Sequence, residues 1–142
     1  MRILRMLGVA VTVCLLAGSA MADGEQPAKE EAAKRTAQAW LELVDGKSYD
    51  QSWETAGSLL RGAMPKEQWA QTIGGVRSPL GGLVSRNLLS AQYASELPGA
   101  PDGEYFIIQY QTTFENKRSA VETTTLMREQ DQSWKVTGYF IK

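Results

Sequence analysis

The sequence predicts an α+β domain with helices first and an antiparallel sheet after them. Three observations predict it. Apolar residues repeat every three to four positions over the first half of the chain. Past the Gly81-Gly82 pair the repeat shortens to two. The strand-like runs are then joined by short polar connections, which suit antiparallel hairpins. Helices segregated from a meander in this way define the α+β class.

The first 22 residues read as a separate unit. Met1-Arg2-Ile3-Leu4-Arg5 is a basic start, Met6 to Leu16 is almost wholly apolar, and Ala20-Met21-Ala22 is a small-x-small ending. That is the layout of a secretory signal peptide with cleavage before Asp23. The apolar run is shorter than the roughly 20 residues a spanning helix needs. A lipid-anchored form is not expected, since Cys14 follows Val13 and lies inside the apolar run, and Ser19 stands after Leu16-Ala17-Gly18. The expected domain is therefore 23–142, without a membrane span and located in the periplasm. It would carry no cysteine, so its own core must hold it.

Charge and composition exclude several functions. Without Arg2 and Arg5, 13 basic residues face 16 acidic ones, a net charge of −3. That is a poor match to nucleic acid, whose binding rests on phosphate neutralisation. The chain has no histidine, which removes histidine bases, Ser–His and Cys–His pairs and histidine metal sites. No acidic run has calcium-loop spacing, and Pro79-Leu80-Gly81-Gly82 lacks the lysine of a phosphate loop. No cofactor, metal or catalytic motif stands out.

Taken in order, residues 23–29 read as a polar lead-in. A first helix spans 27–45, with Pro27 in its first turn, Glu30 and Glu31 near its positive end, and Ala33, Ala37, Trp40, Leu41 and Val44 on one face. Gly46 is the expected stop. Ser48 with Gln51 forms a capping-box pattern for a second helix over 49–61, with Tyr49, Trp53, Ala56 and Leu60 as its stripe. Pro65 opens a third helix with Trp69, Ile73 and Val76 as its stripe. Four strands follow, over 83–96, 104–115, 119–129 and 134–141. In the second, Phe106, Ile108, Tyr110, Thr112 and Phe114 share the expected core face. The third strand leaves both faces open, Val121-Thr123-Thr125-Met127 or Ala120-Glu122-Thr124-Leu126-Arg128. The Pro98-Gly99-Ala100-Pro101-Asp102-Gly103 connection is a stiff turn that fixes the register of the hairpin.

The series Trp40-Leu41-Glu42-Leu43-Val44-Asp45-Gly46, Ser52-Trp53, Val76-Arg77-Ser78-Pro79-Leu80-Gly81, Leu97 to Tyr105, Phe114-Glu115-Asn116-Lys117 and Trp134 to Ile141 resembles a bacterial domain-of-unknown-function family, the one numbered 4019 (DUF4019). The resemblance implies a small exported protein of Gram-negative bacteria. It also implies a cystatin-like cone, similar to the nuclear-transport-factor-2 superfamily, in which a curved sheet wraps a long helix and leaves a pocket at its open end. That superfamily holds isomerases, dehydratases and non-catalytic binding or dimerisation modules. The family brings no established reaction, so no catalytic residue is carried over.

The candidate pocket residues are Trp53, Trp69, Arg77, Arg86, Tyr110 and Glu122. Arg77 sits just after the stripe of the third helix, Arg86 and Glu122 lie in predicted strands among apolar neighbours, and a charge on a core face must be paired or line a cavity. The competing placement puts these side chains on the outer sheet face. Trp40, Trp53, Trp69 and Trp134 fit a core role, with room for one to line a pocket. Asp45, Asp50, Glu104, Glu122, Tyr110 and Tyr139 are the groups available for proton transfer, with Asp45 and Asp50 read as surface or capping groups. The expected function is a non-enzymatic periplasmic accessory module that binds a small ligand or protein partner. The alternative is a histidine-free isomerase or lyase using a buried carboxylate and a Tyr. An apolar outer sheet edge (Tyr105, Ile107, Tyr139, Ile141) is the expected surface of a homodimer.

Overall fold

The computed structural model describes the backbone from residue 20 and side chains from residue 24, both through residue 142. The basic start, the apolar run and Cys14 lie outside the described residues. The order is α1 (Ala20–Asp45), α2 (Tyr49–Glu54), α3 (Ser58–Ala63), α4 (Lys66–Arg77) and a 3-10 turn (Ser78–Leu80). β1 (Leu83–Ala94), β2 (Tyr105–Phe114), β3 (Lys117–Arg128) and β4 (Trp134–Ile141) follow. The strands form one antiparallel sheet in sequence order, β1-β2-β3-β4, open at both ends. The α+β class and the four-stranded meander agree with the sequence reading. No described helix is long and apolar enough to cross a membrane.

α1 lies across the sheet on the stripe the spacing predicts. Ala33, Ala37, Trp40, Leu41 and Val44 are all buried, against Phe106, Ile108 and Tyr110 of β2, Leu126 of β3 and Val136 of β4. The β3 ambiguity resolves toward Ala120, Glu122, Thr124 and Leu126 as the inner face. Trp40 holds the helix layer together. Its ring meets Tyr139 edge-on at 5.3 Å and Trp69 at 6.0 Å, and its Nε1 donates to the Ser52 carbonyl at 2.8 Å. Trp69 Nε1 donates to Ser52 Oγ at 3.0 Å, so one small buried serine satisfies two indoles.

Several local expectations are corrected. α1 begins before Asp23, so residues 23–29 are helical and Pro27 lies inside the helix. The left-handed residue that ends α1 is Lys47 (φ 61), not Gly46. Ser48 N–H bonds Leu43 O at 2.8 Å and Lys47 N–H bonds Val44 O at 3.1 Å, which is a Schellman closure. Ser48 makes no side-chain cap, so the capping-box pattern is not used.

The second helix is two short ones, giving four helices instead of three. The chain breaks at Gly57 because it docks there on β4. Gly57 N–H bonds Val136 O at 2.7 Å, and a Cβ at this position would lie 2.9 Å from Thr137 Cγ2. Glu129 then caps α3, accepting from Ser58 N–H at 2.8 Å and from Ser58 Oγ at 3.1 Å. In α4 the buried stripe is Trp69, Ile73 and Arg77, and Val76 is exposed.

The stiff connection before β2 folds onto the outer sheet face. Pro98 and Gly99 (φ 76) occupy the middle of a tight turn that the Ala100 N–H closes on Leu97 O at 3.2 Å. The Tyr105 hydroxyl donates to Pro101 O at 2.5 Å, and Tyr105 is fully buried. Tyr139 points to the helix side, beside Trp40. The outer apolar edge drawn from Tyr105, Ile107, Tyr139 and Ile141 is therefore not one surface.

Candidate functional site

Four charged side chains from four elements meet beneath the C-terminal end of α1. Arg86 of β1 is the hub. Its Nη1 and Nη2 donate to Asp45 Oδ2 and Oδ1 at 2.8 and 2.9 Å. Its Nε donates to Glu122 Oε1 at 2.6 Å, and Nη2 also reaches Glu122 Oε2 at 3.2 Å. Arg77 Nη2 donates to Asp45 Oδ1 at 2.9 Å. Thr112 Oγ1 donates to Glu122 Oε1 at 2.6 Å, and the Tyr139 hydroxyl donates to Glu122 Oε2. Two arginines thus balance two carboxylates, in the forked geometry that makes arginine–carboxylate pairs strong.

Burial gives these contacts their weight. Glu122 is 0% exposed and Arg77 is 5% exposed. Arg77 Nε and Nη1 have no hydrogen-bond partner among the described residues, and its guanidinium lies over the Phe114 ring, with Cζ 4.7 Å from the centroid. Burial alone would raise the Asp45 pKa, but the bonds and charges of Arg86 and Arg77 outweigh it and hold Asp45 below the usual carboxylate range. Burial pushes the Tyr139 hydroxyl well up, and the neighbouring Glu122 adds to that. Burial also raises Tyr110. The Arg86 guanidinium is desolvated too, yet its two carboxylate partners keep it firmly charged.

Above this cluster, a groove of about 620 Å³ runs between α1 and β1. Arg86, Tyr110 and Leu41 line its base, and Leu83, Val84 and Leu88 form the β1 wall. α1 supplies a polar wall that includes Gln38 and Glu42. The guanidinium at the base is already neutralised, so the groove offers apolar surface over a closed polar floor.

Of the sequence-derived candidates, Arg77, Arg86 and Glu122 come together through Asp45, and Tyr110 stands beside Arg86 in the groove. These charges lie on the helix side of the sheet, not the outer face. Trp53 and Trp69 belong elsewhere. Trp53 Nε1 donates to Met64 O at 2.7 Å, and Trp69 packs on Trp40. Asp45 is corrected from a surface or capping group to the bridge between two arginines. Its signal was present, because Ala33, Ala37, Leu41 and Asp45 repeat every four residues along the buried stripe. Arg77 extends Trp69 and Ile73 in the same way.

A helix layer on one face of an open antiparallel meander, bound to it by a buried ionic cluster, defines a small α+β domain with a groove beside its first strand. The model of the family described as "Protein of unknown function (DUF4019)" matches residues 36–139, most of the chain, and the protein belongs to that family. The match spans Asp45, Arg77, Arg86, Glu122 and Tyr139 together. No curated protein matches the chain.

Proposed function

We propose that the protein is a non-enzymatic, exported binding module that takes a small ligand with an apolar body into the groove between α1 and β1. The observation that carries this reading is the composition of the groove, in which Leu83, Val84 and Leu88 stand exposed over a floor whose charges are already paired. Concave apolar surface with a few fixed polar groups is the usual form of a small-molecule site. The same pairing argues against proton transfer. Both Glu122 oxygens accept hydrogen bonds, Asp45 is held acidic, and Tyr139 is held protonated. A general base needs a free lone pair and a pKa near the working pH.

A cystatin-like cone is the arrangement that a long helix lying over a meander would suit. Export to the periplasm is supported by the basic start, the apolar run and Ala20-Met21-Ala22. Cleavage before Asp23 would also leave only four residues ahead of Pro27, so its missing N–H would forgo a bond to the terminal Asp23 carbonyl alone. Native mass spectrometry of the protein recovered from the periplasm tests both parts. The expected mass is that of 23–142 plus a discrete small adduct. Gln38→Trp, which fills the groove from an exposed helix position, should remove the adduct and leave the melting temperature unchanged. A bare chain under every extraction condition would overturn the ligand reading, and a retained 1–22 segment would overturn export.

A further inference from the structure

We propose, resting on the binding reading above, that the groove selects uncharged ligands, and that an apolar body carrying one carbonyl or hydroxyl oxygen seats that oxygen on the Tyr110 hydroxyl. Tyr110 stands on the inner face of β2 and lines the base of the groove, with 8% of its surface exposed. Its hydroxyl has no hydrogen-bond partner among the described residues, and its cross-strand neighbour explains why. Glu122 lies opposite Tyr110 in the β2–β3 register. Each Glu122 oxygen already accepts twice, Oε1 from Arg86 Nε and Thr112, Oε2 from Arg86 Nη2 and Tyr139. It has no acceptor site left for a third hydroxyl. Among the described residues, the side-chain atoms sealed from solvent without a partner are Arg77 Nε and Nη1, so the Tyr110 oxygen is reachable, and the groove is the space it borders. Burial raises its pKa, so it stays protonated and can both donate and accept. A largely buried hydroxyl without a partner is costly, and a ligand oxygen placed on it removes that cost.

Charge decides the class of ligand. Three basic groups (Lys34, Arg35, Arg86) and three acidic ones (Glu31, Glu42, Asp45) line the groove. At the base, Arg86 is forked onto Asp45 and Glu122. On the α1 wall, Lys34 is paired with Glu30 and Glu31. Arg35 and Glu42 are exposed and opposite in sign, so neither leaves the groove with a net field. A ligand carboxylate or ammonium brought to the base would be an unpaired charge beside a balanced cluster, which is costly. A neutral oxygen gives up far less on leaving water, and Tyr110 replaces the bond it had there. Leu41, Leu83, Val84 and Leu88 take the apolar body. Specificity of this kind combines a penalty against charge with a bond that a neutral oxygen satisfies.

The test is a protein-observed NMR titration of the purified protein at neutral pH. The probes are decanol, methyl decanoate, decanoate and decylamine, which share an alkyl chain, and butylbenzene, which has no polar group. Decanol or methyl decanoate should shift amides of 83–88 and of the facing turns of α1, and should bind more tightly than decanoate and decylamine by about tenfold or more. The tighter of the two neutral probes shows whether a hydroxyl or a carbonyl is preferred. Tyr110→Phe should weaken that probe by about two- to tenfold, the worth of one neutral hydrogen bond, and leave butylbenzene binding unchanged. It should not lower the melting temperature of the free protein, because the hydroxyl has no protein bond to lose. Gln38→Trp should remove the shifts from every probe. Charged probes that bind as tightly as neutral ones would overturn the proposal and leave the groove reading standing. So would Tyr110→Phe without effect on the neutral probes, or with a lowered melting temperature. No shifts with any probe, or shifts that Gln38→Trp leaves in place, would overturn the groove reading and the proposal with it.

Discussion

The two edges of the sheet are built to opposite rules. β4 is covered. Gly57 N–H bonds the Val136 carbonyl, Glu129 caps α3 beside it, and α1 packs more heavily on β4 than on any other single strand. β1 has no covering element among the described residues, and its side chains are largely exposed along its length. One edge is held by helices laid against it. The other is held to the helix layer chiefly through one side chain, Arg86. A sheet whose free edge is tied down by an internal ionic clamp can keep that edge open without losing the strand, because the clamp restrains β1 from the inner face and leaves its outer backbone groups available.

The largest way to break this contrast is to cut the clamp. Arg86→Ala leaves Glu122 fully buried without its cationic partner and Asp45 with Arg77 alone. Breaking a buried pair from one side costs about 3–5 kcal/mol. Denaturant unfolding should show that loss, and hydrogen exchange should speed up in 83–94 well before it does in 134–141. Equal loosening of both edges would mean that Arg86 is only one more core contact.

Acid should open the same edge more gently. Asp45 has a folded-state pKa below its unfolded value, so its contribution to stability is present above the unfolded pKa, about 4, and is lost as pH falls through the lower folded value. Glu104 behaves likewise, since hydrogen bonds from Lys29 and Arg128 depress it. It bridges Lys29 of α1 to Arg128 of β3 at 2.7 and 2.9 Å. Stability should therefore be level near neutrality and decline below about pH 4. Asp45→Asn should flatten part of that decline. An unchanged acid limb in Asp45→Asn would remove the residue from the account.

How much of this was legible follows from period. The two-residue alternation of 105–114 identified Phe106, Ile108, Tyr110, Thr112 and Phe114 as inward, and all five are buried. The bounds of β4 match the sequence reading, because polar Gln130–Ser133 marks its start. The break between α2 and α3 was not legible. Helical spacing runs through 49–61 without interruption, and the reason to stop at Gly57 is an approach to β4, 80 residues further on. Asp45 and Arg77 were missed as members of buried stripes for a related reason. Both continue an apolar repeat at four-residue spacing, but a charged side chain there reads as the end of the stripe unless its partner is known. Those partners, Arg86 and Arg77 for Asp45 and Asp45 for Arg77, come from different elements.

The covered edge gives a middle-sized prediction. Gly57→Ala puts a methyl 2.9 Å from Thr137 Cγ2, 3.1 Å from Glu129 Oε1 and 3.2 Å from Lys135 Cβ. Thr137 is short and branched and has little room to yield, so α3 must shift off β4. Overpacking of this kind costs about 1–3 kcal/mol. Gly62→Ala is the control, since a Cβ there meets nothing within 4 Å. In a helix it should stabilise by about 0.5–1 kcal/mol. If both substitutions have the same sign in thermal unfolding, α3 does not rest on β4 as described.

The smallest effect belongs to the cap on the same edge. Glu129→Gln keeps the shape and an acceptor oxygen but removes the charge that faces the N-terminus of α3, where Ser58 N–H and Oγ both donate to it. The site is exposed, so water and salt screen the interaction, and the loss should be about 0.3–1 kcal/mol. Added salt should shrink the difference between Glu129→Gln and wild type, because screening weakens only the charge part. It should leave the cost of Gly57→Ala untouched, since that cost is steric. The salt response therefore separates the two supports of the covered edge, the backbone contact at Gly57 and the charged cap at Ser58. A salt-independent difference for Glu129→Gln would show that its carboxylate acts by shape alone.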